Sequence, residues 1–91
     1  MKLTVLGGGG VRSAFLAKSL AYNAHRIGLT EVVFLDNSAD NLAIFGEIAR
    51  YVFNTIRPDI QFSTTTDPVA ALQDANSVSY THLTLPTIYS V

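Results

Sequence analysis

Cysteine is absent from the 91 residues, so no disulfide framework and no thiolate metal site can form. A reducing cytoplasm suits such a chain. Charge of either sign is scarce: six Lys plus Arg stand against seven Asp plus Glu, a formal charge of −1. That balance gives no electrostatic case for nucleic acid or for an anionic membrane surface. Long apolar runs are missing too, none approaching the roughly 18–20 residues needed to span a bilayer. Lys2 followed by Leu3, Thr4, Val5 and Leu6 superficially resembles a targeting signal, but the run stops at glycine well short of signal-peptide length. No nucleophile–base pair, metal-ligand cluster, phosphate-loop lysine or internal repeat is evident. Ninety-one residues make at most one small domain, burying about 60–65% of the surface its unfolded chain exposes. A complete catalytic machine is not expected at this length.

What is present is an alternation of strand and helix signals. Leu3 to Leu6 is a short apolar run bounded by Gly7, Gly8, Gly9 and Gly10, the form of a buried strand in a parallel sheet. From Val11 to about Arg26 the pattern turns helical, with Phe15, Leu16, Leu20 and Ala24 as its apolar stripe and Ala14, Ala17 and Ala21 permitting close approach to a sheet. Gly28 suits a left-handed cap. Val32 to Leu35 reads as a second buried strand with Asp36 at its carboxyl end. The helix between the two makes them parallel with a right-handed crossover.

Asn37 or Ser38 can cap a long second helix, whose apolar stripe is Leu42, Phe45, Ile48, Ala49, Val52, Phe53 and Ile56. Pro58 ends it, and Asp40, Glu47 and Arg50 form its solvated face. Ile60 to Thr64 is a third strand. Asp67-Pro68 opens a short helix reaching about Asp74, with proline in the first turn, where its missing N–H costs little. The expected fold is therefore α/β: the opening β-α-β-α-β-α part of a Rossmann-type parallel sheet. Residues 77–91 depart from this logic. Ser77 to Thr81 suffices for a fourth strand, but the rest is rich in Ser, Thr and Tyr, carries Pro86, and resembles a translated sequencing-adapter stretch. Residues 1–76 are expected to form a partial dinucleotide-binding domain and 77–91 a non-native tail, so His82 has no assigned role.

The chemistry is concentrated between strand one and helix one. Glycine lets a pyrophosphate approach the backbone, and a helix start offers unpaired N–H groups and the positive end of its dipole. The ligand is expected over Gly9, Gly10 and Val11. The G-x-G-x-x-G fingerprint fits imperfectly in two registers. Gly7 and Gly9 leave Arg12 in third place, whereas Gly8 and Gly10 leave the small Ser13 there. The competing reading is a ligand-free turn, for which four successive glycines would be needlessly costly in backbone entropy. Asp36 is placed to accept hydrogen bonds from an adenosine ribose. This suits NAD better than NADP, whose 2′-phosphate would meet a like charge. Its other role is to cap the second helix, and both can coexist through different oxygens. Arg12 either contacts a phosphate or is solvated. His25 favours the dipole at the end of the first helix. Of Asp59 and Asp67, flanking strand three, Asp67 reads as a helix cap.

The run Lys2-Leu3-Thr4-Val5-Leu6-Gly7-Gly8-Gly9-Gly10, the Val32-Val33-Phe34-Leu35-Asp36 strand leading to Asn41-Leu42, and Thr65-Thr66-Asp67-Pro68 through Ala70-Ala71-Leu72 to Asp74-Ala75 together resemble glycoside hydrolase family 4. The likeness spans about residues 1–76; it looks most like the 6-phospho-β-glucosidases, with α-glucosidases, α-galactosidases and 6-phospho-α-glucosidases similar in this region. The resemblance implies hydrolysis by oxidation and elimination. NAD oxidises the sugar at C3, a C2 proton is lost, the aglycone leaves, water adds and the ketone is reduced, while a divalent metal, usually manganese, acts as a Lewis acid. It implies a phosphorylated disaccharide or glycoside as substrate and a homo-oligomeric parent. Only the cofactor set carries over, onto Gly7, Gly8, Gly9, Gly10, Val11, Arg12 and Asp36. The metal-binding cysteine and histidine and the tyrosine base of the family lie beyond Asn76, so this chain is expected to be an inactive NAD-binding fragment. The glycine motif alone also occurs in lactate and malate dehydrogenases. A dehydrogenase fragment and a free-standing nucleotide-binding module are the alternatives.

Overall fold

The computed structural model describes residues 1–7, 12–80 and 88–90. Strand β1 (Lys2–Leu6) leads to helix α1 (Ser13–Ile27) and strand β2 (Glu31–Leu35). A short helix α2 (Ala39–Asn41) runs through a π-helical turn at Leu42–Gly46 into α3 (Glu47–Ile56). Then follow β3 (Gln61–Thr65), α4 (Pro68–Leu72), β4 (Ser77–Tyr80) and β5 (Ile88–Ser90). The sheet order is β3-β2-β1-β4-β5, with the first four strands parallel and β5 antiparallel to β4. This is the α/β, Rossmann-type order that the strand–helix alternation implies.

Alternation along the buried strands splits the core between two faces. Leu3, Val5, Val32 and Phe34 meet Ala17, Leu20, Ala21 and Ala24 of α1 and Ala49 and Phe53 of α3. Phe62 of β3 closes this side, edge-on to Phe34 at 4.9 Å between ring centroids and stacked on Phe53 at 5.3 Å. On β1 the intervening residue is Thr4, fully buried, whose hydroxyl donates to the Ala71 carbonyl of α4. A polar group in that position is tolerated because its hydrogen bond is made.

The local punctuation follows from residue chemistry. Gly28 takes a left-handed conformation at φ 69° and caps α1. Ser38 accepts from the Asn41 N–H at 3.2 Å to start α2, and Asp67 accepts from the Val69 N–H at 3.0 Å with Pro68 in the first turn of α4.

Several expectations are corrected. Helix α1 starts at Ser13, and Val11 lies outside the described residues. Phe15 is not a core residue: small side chains occupy the sheet-facing side of α1, and Phe15 points the opposite way. Ile48 is likewise exposed, whereas Ala49 beside it is buried. Arg50 is not merely solvated. Its guanidinium lies 5.3 Å from the centre of the Phe62 ring and donates to the Phe62 carbonyl. Helix α4 stops at Leu72, before Asp74, which has a positive φ of 59°.

Candidate functional site

The carboxyl ends of β1 and β2 are in register, Leu6 opposite Leu35, so the residues that follow each strand are neighbours. Gly7 leaves β1 at φ 78° and donates its N–H to the Leu35 carbonyl at 2.8 Å. That backbone conformation is one L side chains rarely adopt, which accounts for glycine here. Asp36 follows Leu35, half-buried. Its N–H bonds to the Thr65 carbonyl of β3, and its Oδ1 accepts from the Ser38 N–H at 2.9 Å. One carboxylate oxygen thereby holds the turn into α2. Leu6, Gly7, Leu35, Asp36 and Asn37 line one cleft of about 290 Å³. Gly7 and Asp36, twenty-nine residues apart in sequence, thus share a single concavity at the end of the sheet where ligands of open α/β folds sit.

The start of α1 supplies the third element. Arg12 is its N-terminal flanking residue, exposed and without a side-chain cap bond. Ser13 is completely buried, and its Oγ has no hydrogen-bond partner among the described residues. An unpaired buried hydroxyl costs free energy, and helix starts are where such a group meets an anion. Gly8, Gly9, Gly10 and Val11, the rest of the expected cofactor set, lie outside the described residues.

Other sequence candidates do not join this cleft. His25 occupies the last turn of α1. Asp59 takes two hydrogen bonds from Arg57, which hold its carboxyl below the ordinary carboxylate value. A larger hollow beside α4 is lined by Pro68, Val69, Leu72 and Gln73, none of them titratable. Among the described residues no group of three or more His, Cys, Asp or Glu could hold a metal ion, and no helix is long and apolar enough to cross a membrane.

Solved structures share this architecture. A 6-phospho-alpha-glucosidase from gut microorganisms, in complex with NAD and Mn2+, superposes with a TM-score of 0.81 at 25% identity over 87% of this chain. The chain has the fold of a part of that glucosidase. The same type of enzyme with NAD and glucose-6-phosphate matches with a TM-score of 0.84 at 22% identity over 88% of the chain. The 6-phospho-beta glucosidase of Thermotoga maritima with manganese, NAD+ and glucose-6-phosphate gives 0.73 at 21% identity over 88%. The chain spans only 18%, 18% and 19% of these proteins, respectively. No protein-family model matches the chain.

Proposed function

We propose that this chain is the NAD-binding portion of a glycosidase of the glycoside hydrolase family 4 type, acting in its parent on 6-phosphoglucosides, with the β-linked substrates the first to test. The observation that carries the cofactor assignment is the meeting of Gly7 and Asp36 in one cleft at the carboxyl ends of adjacent parallel strands. The likeness to 6-phospho-glucosidases solved with NAD supports it.

The residues present fit a dinucleotide. Gly7 keeps the strand end clear of side chains where a pyrophosphate approaches. Ser13 Oγ is an unused donor buried in the first turn of α1, and its smallness and burial favour the register Gly8, Gly10, Ser13 over one ending on exposed Arg12. Asp36 accepts from ribose hydroxyls while Ser38 keeps its side chain oriented. The negative charge of Asp36 disfavours a 2′-phosphate. When bound, the nicotinamide provides a reversible hydride acceptor. By the same reading, the metal site and the catalytic residues belong to other parts of the parent protein. By this reading the chain alone binds the cofactor and does not hydrolyse glycosides, and residues 1–76 are its functional part.

The test is isothermal titration of the chain with NAD and NADP. A charge-assisted hydrogen bond is worth about 1.5–3 kcal/mol, so Asp36→Ala should weaken NAD binding by roughly 10- to 150-fold and narrow the gap between NAD and NADP. Equal affinity for the two nucleotides, unchanged by the substitution, would overturn the assignment.

A further inference from the structure

Strand β3 is the outermost strand on its side of the sheet. Its Gln61 N–H bonds to the Thr30 carbonyl and its Thr65 carbonyl takes the Asp36 N–H, so the backbone groups of Gln61, Ser63 and Thr65 face β2. Those of Phe62 and Thr64 therefore point outward, where no described strand lies. Such an edge is a template for any extended chain. The sequence makes this one hazardous. Residues 60–66, Ile-Gln-Phe-Ser-Thr-Thr-Thr, contain no charge, no glycine and no proline, and five of the seven are residues that favour strands. Pro58-Asp59 and Asp67-Pro68 bracket the run with a charge and a proline on each side, but both pairs lie outside the strand.

The charge that the strand lacks comes from a neighbouring helix. Gly46 lets the π-helical turn sit directly on β3, since Thr64 Cγ2 would stand only 3.0 Å from a Cβ at that position. One turn further along, Arg50 reaches the edge. Its guanidinium lies 5.3 Å from the centre of the Phe62 ring, donates to the outward Phe62 carbonyl at 3.3 Å, and is tied through Nε to Glu47 at 3.2 Å. Beside it, a hollow of about 410 Å³ between the helix and Thr64, Thr65 and Thr66 leaves room for a side chain of an incoming strand. The edge is thus open in shape and closed by the arginine. An added strand would have to take the Phe62 carbonyl from Arg50 and cover its charge, and burying a charge costs more than one strand hydrogen bond returns. We propose that Arg50 guards the edge of β3, its guanidinium occupying the Phe62 carbonyl and keeping extended, uncharged chains like β3 itself from adding to the sheet. Glu47 and the Phe62 ring hold the guanidinium in place.

The probe is a dye-labelled peptide of residues 60–66, whose binding is followed by fluorescence anisotropy. Four chains are titrated into it, each checked for native far-UV circular dichroism: the unaltered chain, Arg50→Met, Glu47→Ala, and Arg50→Met combined with Gln61→Lys and Ser63→Lys. Methionine keeps an apolar stem over the Phe62 ring and removes both donor and charge. Arg50→Met should bind the peptide about 10-fold more tightly than the unaltered chain, the scale of one hydrogen bond released to the incoming strand. Glu47 is exposed, so its truncation leaves the core intact and frees only one anchor of the guanidinium. A gain of about 2- to 5-fold should follow. Lysines at the exposed positions 61 and 63 restore charge to the edge from the opposite face and should return binding to that of the unaltered chain. Should Arg50→Met fail to fold, Glu47→Ala decides. Peptide binding that does not rise in the folded variants overturns the proposal. So does a gain that survives the two lysines, and so does an unaltered chain that binds the peptide as tightly as Arg50→Met.

Discussion

Replacing Ser13 by alanine should stabilise the chain without nucleotide and weaken its response to nucleotide. The hydroxyl is buried and has no partner, a situation that costs about 1–3 kcal/mol, so its removal should add roughly 1 kcal/mol to stability. For a domain of this size that raises Tm by about 4–8 °C. NAD at one hundred times its Kd stabilises the unaltered chain by about 2.7 kcal/mol. If Ser13 Oγ donates to a phosphate oxygen, its loss weakens binding by roughly 30-fold, and the same NAD concentration then adds only about 0.9 kcal/mol. The order of the two chains therefore reverses: Ser13→Ala melts higher alone, at a gain of ~1 kcal/mol, and lower with NAD, at ~1.9 against ~2.7 kcal/mol. Thermal melts followed by circular dichroism, with and without NAD, measure both. A lower melting temperature for Ser13→Ala without nucleotide would refute the unpaired hydroxyl. Equal upward shifts with and without NAD would refute its role in binding.

Phe53 is fully buried in stacking contact with Phe62, so Phe53→Ala should cost about 3–5 kcal/mol, enough to abolish a cooperative urea transition in so small a domain. Thr4→Val keeps the shape of β1 but leaves the Ala71 carbonyl without its donor. A loss of about 1–3 kcal/mol should follow, accompanied by faster amide exchange in α4. Arg57 holds the Asp59 carboxyl below its ordinary value, chiefly through their side-chain hydrogen bonds. A carboxyl whose folded pKa is depressed stabilises the fold above its unfolded pKa and loses that contribution as pH falls through the lowered value. Asp59→Asn should therefore destabilise slightly at neutral pH and not in strong acid. Asp59 is exposed and Arg57 half-buried, so ~1 M salt should reduce the difference in melts compared across pH.

The sheet and its punctuation were readable because their signals are local. Two apolar runs ending in glycine and in aspartate, a glycine at the helix cap, and Asp67 before Pro68 each act within a few residues. The neighbourhood of Gly7 and Asp36 was readable too, since consecutive strands of a sheet usually lie side by side and a helical connection makes them parallel. Which side of each helix faces inward was not. Apolar periodicity placed Phe15 and Ile48 in the core, but contact between helix and sheet is closest where side chains are small, and Ser13, Ala17, Ala21 and Ala24 took that side. The π-helical turn at Leu42–Gly46 also shifts the phase of the residues after it, an adjustment a regular helical period does not anticipate. The burial of Ser13 was half-legible: a small residue in the third fingerprint position was noted, but its lack of a partner depends on the packed surroundings.

The position of β1 at the heart of the sheet has a kinetic consequence. Its neighbours on the two sides arrive at very different times: Leu3 pairs with Val32 on one edge and with Ser77 on the other. The unit of β1, α1 and β2 closes early, β3 extends it, and the second edge of β1 stays open until Ser77–Tyr80 has been made. Closing the longer loop costs only slightly more entropy, but parallel pairing across such separations is slow. During synthesis, an apolar central strand therefore waits half-paired, and that interval is when the chain is most vulnerable to joining the wrong partner.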